Sequence, residues 1–63
     1  MESEKEVVQQ VLDLLTKQSP DDPEQNKWYW YELSTHVKQK QNVSVVPSLY
    51  EIGLAIAKER NLL

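Results

Sequence analysis

The chain has 63 residues, seven lysines and arginines against ten acids, one histidine and no cysteine. That length holds one small domain, whose core supplies no more than ~3–5 kcal/mol of net stability. The missing cysteines exclude a disulfide staple, thiolate metal sites and thiol chemistry; the net charge of −3 argues against a general phosphate-binding surface.

The charge is divided unevenly. Residues 1–26 carry two lysines and seven acids, a net −5, while residues 27–63 carry five cations and three acids, a net +2. The start, "MESEKE", is charged and lacks the basic-then-apolar pattern of a secretory signal. No apolar run approaches the ~18 residues of a membrane span. With no cysteine, the chain suits a reducing compartment, and a cytoplasmic protein without membrane contact is expected.

In chain order, Ser3 followed by Glu6 forms a capping-box pattern. Val7, Val8, Val11, Leu12 and Leu15 then recur at spacings of three and four, one amphipathic face of a helix over about 4–18. Ser19-Pro20-Asp21-Asp22-Pro23 ends it, because proline lacks the donor a helix interior needs.

The second helix starts inside that stop. Asp22 is its expected N-cap, Pro23 fits the first helical position, and Asp21, Asp22 and Glu24 suit the positive end of the helix dipole. It is expected over about 23–41, with Asn42 as terminator. It contains "NKWYWYELS", in which four of the five aromatic residues are consecutive.

Helical residues turn about 100° each, so four in a row cannot all face a core. Leu33 and Val37, one turn apart, set the inward face. Tyr29 and Trp30 flank it and are expected in the core; Trp28 and Tyr31 point away and are expected outside it, followed by Thr35 and Lys38. Read instead as a strand, the run would pair Trp28 with Trp30 on one face. Trp28 either folds over residues 19–23 to seal the core or joins Tyr31 in a binding surface.

"VSVV" before Pro47 is β-branched and short, and without a second strand to pair with it reads as a connector. Ser48 and Glu51 repeat the capping-box pattern and open a third helix over about 48–60. Leu49, Ile52, Ile56 and Leu63 make one apolar stripe; Tyr50, Leu54 and Ala57 make a second. Gly53 lies between them, where a bare backbone admits a neighbouring helix. Glu51, Ala55 and Lys58 face away. So broadly apolar a helix is either central, covered by both neighbours, or covered by another chain. Asn61 suits a left-handed helix end, with Leu62 folding back.

The expected architecture is therefore all-α: a compact three-helix bundle forming one small helical domain over residues 1–63. No catalytic constellation is visible. His36 has no cysteine to activate, a zinc site would have to be built mostly from carboxylates, and one glycine cannot make a phosphate loop. An enzyme is not expected, nor any cofactor or metal.

A helix, a second carrying "YELSTHV" and a third ending "KERNLL" resemble in rhythm the core of helix-turn-helix and winged-helix proteins. That resemblance implies a nucleic-acid module using Lys38, Lys40, Lys58 and Arg60. Against it, "QNVSVVP" is long for the tight turn, the presumed recognition helix would expose Glu51, Ala55 and Lys58, which offer little to read base edges, and a wing would need sequence beyond Leu63. The first expectation is instead a small regulatory or adaptor module that binds another protein, or itself, through Trp28 and Tyr31 on the second helix and Tyr50 and Leu54 on the third.

Overall fold

The structure is a computed structural model that describes residues 3–63. Met1 and Glu2, part of the acidic start, lie outside the described residues. Three helices follow in order: α1 (Glu4–Gln18), α2 (Pro23–Gln41) and α3 (Leu49–Glu59). The described residues contain no strand, and residues 43–46 form an irregular connector.

Each helix begins where its capping chemistry sits. The Ser3 hydroxyl accepts from the Glu6 N–H. The Asp22 carboxylate accepts from the N–H groups of Glu24 and Gln25, directly ahead of a helix that opens on Pro23. Ser48 and Glu51 complete a reciprocal box, hydroxyl to one N–H and carboxylate to the other. These bonds satisfy donors that the first helical turn leaves without partners.

The ends are equally specified. Asn42 takes φ 54° and Asn61 takes φ 58°, the left-handed conformation that asparagine tolerates. In both cases the next residue donates back to a carbonyl five positions earlier: Val43 to Lys38 at 3.2 Å and Leu62 to Ala57 at 2.9 Å. That is the bonding of a Schellman motif, formed here without glycine.

α3 is the shared element. It packs chiefly against α1 and more lightly against α2, while α1 and α2 are joined near their junction rather than along their lengths. The helices form a flat slab of 38 × 27 × 16 Å. The core consists of Val7, Val8, Val11 and Leu15 from α1, Val37 from α2, and Ile52, Ile56 and Ala57 from α3. Burying each large aliphatic side chain contributes roughly 1.5–3 kcal/mol. Pro47 is buried at the entrance to α3.

Gly53 sets the closeness of the α1–α3 seam. A β-carbon there would lie 3.0 Å from both Leu12 Cγ and Val8 Cγ1, so the backbone of α3 meets α1 side chains directly. The central-helix expectation for α3 holds, with three corrections. Leu49 and Leu63, assigned to the inward stripe, are exposed. Leu49 is the first residue of α3, beyond the reach of either neighbour, and the left-handed turn at Asn61 carries Leu63 off the helix stripe. Ala55, assigned outward, is half-buried against the core.

Candidate functional site

The aromatic run divides as the helical geometry requires. Tyr29 and Trp30, expected in the core, are only half-buried, with ring centroids 5.4 Å apart in an edge-to-face pair. Trp30 and Leu33 pack against the core without being enclosed by it, because α2 meets the bundle along one edge. Trp28 and Tyr31 are 56% and 59% exposed, respectively. They form a second edge-to-face pair at 5.6 Å, the geometry aromatic rings prefer.

Tyr29 and Asn26 tie the α1–α2 junction together. The Tyr29 hydroxyl donates to the Leu15 carbonyl at 3.2 Å, and the Asn26 amide donates to the Pro20 carbonyl at 3.1 Å. Both bonds satisfy carbonyls at or just after the end of α1, which its own helix cannot serve.

Beside Tyr31 runs a shallow cleft of about 310 Å³, between α2 and the connector. Lys27, Trp30, Tyr31, Lys38 and Val46 line it, along with Ser34 and Thr35. The last two turn their hydroxyl protons back onto the helix, donating to the carbonyls of Trp30 and Tyr31 at 2.8 and 2.9 Å. Lys27 and Val46 were not singled out in the sequence. Lys27 was legible in principle, since it shares an azimuth with Lys38. Val46 was not, because its place depends on the path of the connector.

The other expected binding residues lie elsewhere. Tyr50 is partly exposed, but its hydroxyl donates to Glu4 Oε1 at 3.1 Å and ties α3 to α1. That bond is the main reason its phenol titrates above the ordinary tyrosine value; desolvation and the Glu4 charge add to it. Leu54 is half-buried. Neither joins the Trp28–Tyr31 pair.

The four cations of the helix-turn-helix alternative are also dispersed. Lys38 lines the aromatic cleft. Lys40 and Lys58 line a second cleft, between α2 and α3, with His36 and Glu59. There Glu59 Oε1 lies 3.2 Å from Lys40 Nζ and 3.3 Å from His36 Nε2. Lys40 is the main cause of a Glu59 carboxyl held below the usual range, with His36 contributing and desolvation opposing. The carboxylate thus offsets the positive charge there. Arg60 caps the end of α3 and is exposed.

Among the described residues no cluster of three or more His, Asp or Glu could hold a metal ion, and no helix is long and apolar enough to cross a membrane. No protein-family model, curated protein or solved structure matches the chain.

Proposed function

We propose that this chain is a small non-enzymatic interaction module, regulatory or adaptor in role, that binds another protein through the outer face of α2. One observation carries the reading. Trp28 and Tyr31 are both more than half exposed and lie edge to face on one side of α2. Tryptophan and tyrosine are the residue types most enriched among the anchors of protein interfaces. A tryptophan left in water forgoes a large apolar gain that a partner would recover. A cytoplasmic location for this interaction accords with the cysteine-free composition.

The α3 surface around Tyr50 and Leu54 is the weaker candidate, since the Tyr50 hydroxyl is already engaged by Glu4 and Leu54 is half-buried.

The test compares capture of proteins from the native source by the wild-type chain and by a Trp28→Ala/Tyr31→Ala variant, after circular dichroism shows both folded. The reading expects proteins retained by the first and lost by the second. Identical capture profiles would overturn it. Sedimentation over a concentration series separates a foreign partner from a second copy of the chain.

A further inference from the structure

Resting on that reading, we infer that the α2 cleft is built for an acidic segment of another protein, one that presents a large apolar side chain between two carboxylates. Lys27 and Lys38 both line the cleft, and no carboxylate lines it with them. Among the described residues neither lysine has an ion-pair partner, whereas Lys40, two positions beyond Lys38, is paired with Glu59.

Their spacing on α2 is specific. Eleven residues are within about 20° of three full helical turns, and span about 16 Å of axis. The two ammonium groups therefore project from the same side of the helix. Tyr31 lies between them on that side, edge-on to Trp28, with Val46 of the connector opposite. The surface reads cation, aromatic platform, cation. Its complement is a carboxylate, an apolar side chain and a carboxylate, with the acids spaced to match. Such charge matching fixes register and excludes wrong partners more than it adds raw affinity.

Two other occupants fit less well. A second copy docked by the same face about a two-fold axis would set Lys27 of one α2 against Lys38 of the other, so like charges would meet at both ends. A nucleic acid would find only two cations here. Phosphate affinity grows with the number of phosphates neutralised, and two give little.

The experiment pans a phage-displayed library of random peptides against the folded chain and against a Lys27→Glu/Lys38→Glu variant. Enriched peptides should be rich in Asp and Glu around a Trp, Phe or Leu. Synthesised and titrated singly, they should shift the tryptophan fluorescence, bind less as salt rises, and lose about ten-fold or more in affinity to the double variant. Shown by circular dichroism to be folded like the wild type, the variant should itself select basic peptides. Enriched peptides that are neutral or basic, or that ignore the charge reversal, would overturn the acidic partner and leave the protein-binding reading standing. No enrichment on either chain would count against both. Tighter binding of oligodeoxythymidine than of any selected peptide would replace the acidic segment with a nucleic acid.

Discussion

The α1–α3 seam and the outer flank of α2 are built from similar numbers of large apolar residues but spend them differently. Across the seam, Val8, Val11, Ile52 and Ala57 are almost wholly enclosed, and Gly53 lets the two helices meet at van der Waals distance. α2 encloses Val37 alone, leaves Trp30 and Leu33 half-covered, and sets Trp28 and Tyr31 in water. α2 is nonetheless held at several points: by Tyr29 and Asn26 near its start and by His36 and Lys40 near its end. The contrast separates residues that make the fold from residues that the fold displays. A helix tied at both ends by polar contacts can keep its large aromatics for another use.

The comparison breaks first in the core. Ile52 is 1% exposed at the seam, so Ile52→Ala should cost ~2–5 kcal/mol, the range for a buried aliphatic truncation. In so small a domain that approaches the whole stability. Leu33→Ala on α2 should cost clearly less, since the site is partly open to water and leaves a smaller void. Urea titration followed by circular dichroism measures both. Equal losses would mean that α2 belongs to the core as fully as α1.

A smaller effect is expected at Gly53. Replacing a mid-helix glycine with alanine normally gains about 1 kcal/mol from helix propensity. Here the new methyl group would stand 3.0 Å from Val8 Cγ1 and Leu12 Cγ. Leu12, half-buried, can shift; Val8 is enclosed and stiff at χ1. Overpacking costs typically 1–3 kcal/mol, so Gly53→Ala should destabilise by about 1 kcal/mol net. A rise in melting temperature would show that the seam is looser than its geometry.

Hydrogen exchange should follow the same division along the chain. Regions with few enclosed apolar contacts open at lower free energy than the core. The amides of α2 should exchange through sub-global opening while those of α1 and the middle of α3 wait for global unfolding. Uniform protection across the three helices would remove the distinction between seam and flank.

How far all this could be read from the sequence depended on the range of the interaction. Helix ends were legible because their causes are local: Ser3, Asp22 and Ser48 bond to residues two or three positions away, and Asn42 and Asn61 turn the chain by themselves. The buried face of α1 followed from spacing alone. Spacing gives direction but not what stands there. Leu49 has the right azimuth and no neighbour to cover it, and Ala55 has the wrong one yet packs against the core. The outward pair Trp28 and Tyr31 followed from the same 100° step, but their mutual edge-to-face contact and the bond from Tyr29 to Leu15 are tertiary facts. So is the cleft, which needs the connector's return past α2 to bring Val46 to Lys27 and Lys38.

The smallest expected effects are in the pH dependence, and they assign one titration to each side of the molecule. Glu59 belongs to the α2–α3 flank. Its folded carboxyl lies below the ordinary value, chiefly through Lys40, so the ionised form is the one the fold favours. That contribution is present at neutral pH and disappears as acid takes the carboxyl through its folded value. Tyr50 belongs to the α1–α3 side. Its phenol lies above the ordinary value, chiefly through the bond it donates to Glu4, so the protonated form is favoured. That contribution is present below about pH 10 and disappears as alkali takes the phenol through its folded value. Melting temperature measured across both ranges should decline at each end. Glu59→Gln should flatten the acid limb alone, and Tyr50→Phe the alkaline limb alone. Both groups are exposed, so the changes should be modest and shrink in high salt. If either substitution flattened both limbs, the two sides of α3 would be coupled, and the flank would not be separable from the seam.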